Sequence, residues 1–149
     1  MQDSTIVNHA AELCRRNGRI VVVGKVGLDL ERKEIYNFLT QKYKNHFLVL
    51  RSGPITEWLN GIDVLITFMS ASAIDAIISN VPVISLGKLV NADAYSRIPE
   101  GYHYDYDRFL WQPESMHELS ELIDRALSNN LSLAPHEEKL REFILDNFF

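Results

Sequence analysis

The stretch from Gly61 to Gly87, GIDVLITFMSASAIDAIISNVPVISLG, constrains this chain more than any other, because it reads as two apolar strands joined by one helix. Ile62–Thr67 is a short run of β-favouring residues entered after the turn signal Asn60-Gly61, and it is too short for an ordinary helix. The small residues Ser70-Ala71-Ser72 then turn the chain, and Ser70 or Ser72 can cap a helix by accepting a hydrogen bond from a free backbone N–H. That helix runs to about Ser79 with Ala73, Ile74, Ile77 and Ile78 as its apolar stripe. Asn80 supplies a left-handed stop and Pro82 forbids continuation. Val83–Leu86 is the second strand, closed by Gly87. Two such strands with one crossover helix predict a right-handed βαβ unit of a parallel sheet.

The flanking chain repeats the alternation. The spacing predicts a helix over Asp3–Asn17 stopped by Gly18, a strand over Arg19–Val23, a Gly24–Gly27 loop, a helix over Leu28–Tyr43 and a strand over His46–Leu50. Arg51-Ser52-Gly53-Pro54 is a loop opening a short helix, Ile55–Leu59. Beyond Gly87 an irregular, tyrosine-rich stretch reaches about Asp107, and Arg108–Trp111 is read as a fifth strand. Pro113-Glu114-Ser115 opens a helix to about Ser128, and a last amphipathic segment runs from Pro135 to Phe149. The expected fold is a single α/β domain over residues 1–149, a Rossmann-like doubly wound parallel sheet of about five strands with helices on both faces.

Such a sheet binds ligands outside the carboxyl ends of its strands, which nominates the loops after each strand. Ser70, Ala71 and Ser72 would let a phosphate approach free N–H groups, although plain helix capping explains the same residues equally well. Asp75, one turn later, would accept from ribose hydroxyls or simply be a favourable acid in a first helical turn. Lys25 and Arg51 would neutralise a diphosphate, a solvated loop cation being the commoner role. Gly24 and Gly27 make only a partial glycine fingerprint. Asp105 and Asp107 carry a minor acid/base reading, and the tyrosines between Gly87 and Asp107 are read as packing before base stacking.

Composition narrows the classes. A net charge of −5 with no run of Lys and Arg argues against nucleic acid as a partner. A lone cysteine, Cys14, allows no internal disulfide, and neither it nor the five histidines show metal-ligand spacing. No segment reaches the length of a membrane span and the start lacks a signal-peptide pattern, so a cytoplasmic location and no metal are expected.

Taken together, Ile62-Asp63-Val64-Leu65-Ile66-Thr67, Ser70-Ala71-Ser72, Asp75-Ala76 and Pro82-Val83-Ile84-Ser85-Leu86-Gly87 resemble the C-terminal, donor-binding half of GT-B-fold glycosyltransferases, particularly those of bacterial capsule and surface-polysaccharide synthesis. Phe109–Ser115 and the helix after it are similar to that family's final strand, turn and helix. The chain departs from the pattern where Asp75 replaces the usual Glu, Asn80 the usual Gly and Met69 a frequent Asn. The resemblance implies a nucleotide-sugar donor, no cofactor and no essential metal, with glycosyl transfer to a saccharide or lipid-linked acceptor. It implies that Ser70, Ala71, Ser72, Lys25 and Gly24 hold the diphosphate, Asp75 the ribose, and Arg51, Gly53 and Ile55 the base, and it assigns no catalytic residue. A chain of 149 residues leaves no room for the family's acceptor domain. An acceptor-binding domain or subunit, or a second copy docked through the C-terminal helix, is therefore expected as partner, with peripheral membrane association only through it. A nucleotide-sugar epimerase of similar fold and a non-catalytic interaction module are the alternatives; a nicotinamide-binding domain is disfavoured by the missing third glycine and by the lack of an acidic residue ending the second strand.

Overall fold

The structure, a computed structural model, describes residues 3–19, 21–24, 30–50, 57, 59–67, 72–90 and 105–148. The chain divides into two compact units, Met1–Glu57 and Trp58–Phe149.

In the first unit, helix α1 (Asp3–Arg16), strand β1 (Val21–Gly24), helix α2 (Leu30–Tyr43) and strand β2 (Phe47–Leu50) follow in order. The strands pair in parallel, Val21 opposite Phe47 through Gly24 opposite Leu50. Ala11 of α1 meets Leu39, Tyr43 and Phe47 in a buried cluster, with Val7, Ile35 and Tyr36 against it. The Tyr36 and Phe47 rings stack at 6.4 Å. Tyr43 keeps its hydroxyl satisfied by donating to Asn8 Oδ1 at 2.9 Å, as a buried phenol must. Gly18 ends α1 with φ +65°, and the N–H groups of Gly18 and Arg19 return to the Arg15 and Cys14 carbonyls. This is the paired bonding of a Schellman stop.

The second unit is built on β3 (Leu65–Thr67), α3 (Ser72–Ile78) and β4 (Val83–Ser85). Leu65, Ile66 and Thr67 lie opposite Val83, Ile84 and Ser85 in parallel, as the Gly61–Gly87 pattern requires. Bonds from Leu65 N–H to the Pro82 carbonyl and from Leu86 N–H to the Thr67 carbonyl extend the ladder at both ends. Asn80 takes φ +60° and closes α3 with the same double bond pattern, Asn80 N–H to Ile77 O and Val81 N–H to Ala76 O. Helix α4 (Met116–Leu127) opens at Ser115, whose hydroxyl accepts from the Glu118 N–H, while Glu118 reaches back to the Glu114 N–H at 2.7 Å. It stops at Asn129, φ +55°, in a third Schellman turn. Helix α5 (Glu137–Phe148) buries Leu140 and Ile144 and sets Phe143 against Phe109 at 5.7 Å. Phe143 and Ile144, on the C-terminal helix expected to dock a partner, are thus taken up inside their own unit, leaving Leu145 and Phe148 as the exposed large apolar side chains of α5; Phe149 lies outside the described residues.

The expected five-stranded doubly wound sheet is not what forms. Among the described residues, helices dominate and the strands come as two separate parallel pairs, β1 with β2 and β3 with β4. Beyond them there is a single parallel bridge, Ile84 to Trp111. Of the segment read as a fifth strand, Arg108–Trp111, the first two residues end the 3₁₀ turn Asp105–Phe109 and Trp111 makes that one bridge; the Leu110 N–H and the Gln112 side chain both bond the Asp107 carbonyl. Asp competes for local turn bonds and is poor in strands, which favours the turn. Strands of three or four residues also offer a short ladder to any further neighbour.

Candidate functional site

The βαβ unit of Trp58–Phe149 brings the ends of β3 and β4 to one edge, with Thr67 and Ser85 as register partners there. Helix α3 packs through Ala73, Ala76 and Ile77, all buried, while Ile78 is 53% exposed. The buried stripe is therefore rotated from the expected one: small Ala76 faces the sheet and branched Ile78 faces out. With that face inward, Ser72 and Asp75, three residues apart, lie on one half-buried flank of α3. Ser72 opens the helix and Asp75 sits in its first turn, where a carboxylate is favourable. Ser70 and Ala71, the rest of the expected phosphate turn, lie outside the described residues.

The remaining expected contacts belong to the first unit. Gly24 ends β1 opposite Leu50, at the carboxyl edge of the β1–β2 pair. Lys25, Arg51, Gly53 and Ile55 lie outside the described residues. Of the nine expected site residues, the structure thus brings Ser72 and Asp75 onto one face and gives Gly24 a strand-end position.

A polar pair at the same edge of the second unit carries a signal that the sequence reading passed over. Ser85, the last residue of β4, donates through Oγ to Asp107 Oδ2, and both are buried, at 0% and 1% exposure. The Gly87 N–H donates to the same Ser85 Oγ at 3.4 Å, and the Ser85 N–H donates to the Trp111 carbonyl at 2.8 Å. Trp111 in turn donates its indole N–H to the Ser132 carbonyl at 2.9 Å, with the Arg125 guanidinium 5.2 Å from the ring centre. Sealed from solvent, the pair gives a substrate no access, and its chemistry is to fasten the 105–109 turn to the end of β4. Asp107 therefore sits in the core rather than in the acid/base pair considered with Asp105, and Tyr106, 1% exposed, packs as expected. The available clue was one hydroxyl inside the apolar run Val83-Ile84-Ser85-Leu86, since a buried polar group needs a partner.

Among the described residues no group of three or more His, Cys, Asp or Glu is placed to hold a metal ion. Among them also, no helix is long and apolar enough to cross a membrane. Comparison with family models, with curated proteins and with solved structures gives no match to the chain.

Proposed function

We propose that the chain binds a nucleotide-sugar at the carboxyl edge of the β3–α3–β4 unit and serves as the donor-binding part of a glycosyltransferase. The observation that carries the reading is the parallel register: it puts Thr67 and Ser85 at one edge while α3 presents Ser72 and Asp75 together on a half-buried flank. Parallel strands joined by a crossover helix take ligands at that edge. The resemblance of Ile62–Thr67, Asp75-Ala76 and Pro82–Gly87 to the donor-binding segments of polysaccharide-forming glycosyltransferases supplies the ligand class. In this reading Ser72, with Ser70 and Ala71 before it, receives the diphosphate and Asp75 accepts from the ribose. Acceptor binding falls to another domain, subunit or second copy, so the chain alone binds donor and transfers nothing.

Calorimetric titration with UDP, CMP and GDP tests this. Binding of one nucleotide, weakened by Ser70→Ala and Ser72→Ala through loss of hydrogen bonds worth about 1–2 kcal/mol each to a charged group, is the expected result. Asp75→Ala should cost a ribonucleotide more affinity than its 2′-deoxy counterpart. No binding, or unchanged affinity in all three variants, removes the reading and leaves Ser72 as an ordinary helix-opening residue. Gly24, Lys25, Arg51, Gly53 and Ile55 form a separate variant set, scored on their own.

A further inference from the structure

The dipeptide Asn-Gly occurs twice in the chain, at Asn17-Gly18 and at Asn60-Gly61. In this pair the side-chain amide carbon of asparagine is open to attack by the next backbone nitrogen, because glycine brings no Cβ to shield that nitrogen. Both pairs are exposed, and a Cβ built at either glycine meets no atom within 4 Å, so room does not separate them. What separates them is hydrogen bonding. The Asn17 side-chain amide donates to the Leu13 carbonyl at 2.8 Å, four residues back along α1, which holds its Cγ toward the helix rather than over the Gly18 nitrogen. The Gly18 N–H donates to the Arg15 carbonyl at 3.2 Å, so the attacking nitrogen is engaged as well. Reaction there requires opening the stop of α1. Asn60-Gly61 instead lies in the turn between Leu59, 1% exposed, and β3, and among the described residues none bonds the Asn60 side chain.

From two identical dipeptides, one tied at both reacting groups and the other exposed with its side chain unheld, we propose that Asn60 is a site of spontaneous deamidation in the folded protein and that Asn17 is protected from it. The Gly61 nitrogen gives its proton to solvent base and attacks Asn60 Cγ; the N–Cγ bond forms, the Cγ–Nδ2 bond breaks and ammonia leaves. Water then opens the succinimide at either carbonyl, giving aspartate or isoaspartate. Either product adds a negative charge. The isoaspartyl form also adds one methylene to the main chain between the buried Leu59 and β3. The inference is independent of nucleotide binding.

The full chain, folded or in urea, is incubated at neutral pH and physiological temperature, and peptides spanning each pair are followed by mass and chromatography. A protein isoaspartate methyltransferase with labelled S-adenosylmethionine counts the isoaspartyl groups. In the folded chain Asn60 should convert about tenfold faster than Asn17, the size expected of a few net hydrogen bonds. In urea, where those bonds are gone, the two rates should agree within about twofold. Gly61→Ala, whose methyl meets no atom within 4 Å, should slow conversion at Asn60 and leave Asn17 unchanged. Equal rates in the folded chain, a difference that persists undiminished in urea, or no response to Gly61→Ala would overturn the proposal.

Discussion

Replacing Ser85 by alanine removes one hydroxyl from the most enclosed polar contact described in the second unit. Water cannot stand in for it, because Ser85 and Asp107 are 0% and 1% exposed. Leaving a buried polar group without its hydrogen-bond partner costs about 1–3 kcal/mol, and the Gly87 N–H loses its 3.4 Å acceptor as well, a long contact of small worth. Ser85→Ala should therefore cost about 2 kcal/mol in urea denaturation, or roughly 4–8 °C in melting temperature for a chain of this size. Asp107→Ala removes the same bond from the other side but keeps the Asp107 carbonyl that Leu110 and Gln112 use, so the 105–109 turn retains its backbone bonds. The double variant should then lose less than the two singles together, by about 1–2 kcal/mol, because neither partner is left buried without the other. A Ser85→Ala loss under about 0.5 kcal/mol, or strict additivity, would refute the claim that this pair fastens the turn to β4.

Two further outcomes are expected. Ser115→Ala should destabilise by about 1 kcal/mol in urea denaturation, since its hydroxyl caps α4 through the Glu118 N–H at 3.1 Å, and Ser115→Asp should restore most of that loss. On α1, the hydrogen bond from Arg15 holds the Glu12 carboxyl below its ordinary value, helped by the charges of Arg15 and Arg16. That interaction stabilises the folded state above the unfolded carboxyl pKa and is lost as pH falls through the lowered folded value. Carbon-detected titration should find the Glu12 midpoint below that of Glu12 in an Arg15→Ala variant, with the gap closing in salt.

The sequence was informative where structure is decided locally. Gly18, Asn80 and Ser115 marked helix ends that the dihedral angles and hydrogen bonds bear out. The Gly61–Gly87 pattern foretold a parallel βαβ unit, though β3 begins at Leu65 rather than Ile62. Periodicity could not say which strands become neighbours, and there the five-stranded sheet failed: strand pairing is long-range, and three-residue strands carry little pattern to fix it. Hydrophobicity also misplaced the inner face of α3 by ranking Ile78 above Ala76, where packing took the smaller side chain. The Ser85–Asp107 contact joins residues 22 positions apart, and no local pattern announces such a partner. Of the candidate site, the shared flank of Ser72 and Asp75 followed from helical spacing.

The three left-handed helix stops make surface positions behave like interior ones under mutational drift. Gly18, Asn80 and Asn129 are all exposed, so burial alone would class them as freely variable. Their φ angles of +65°, +60° and +55° say otherwise, because a side chain branched at Cβ meets its own backbone there. In a saturation library each site should accept glycine and asparagine, tolerate aspartate and reject valine, isoleucine and proline, a substitution profile set by the backbone before any side-chain contact.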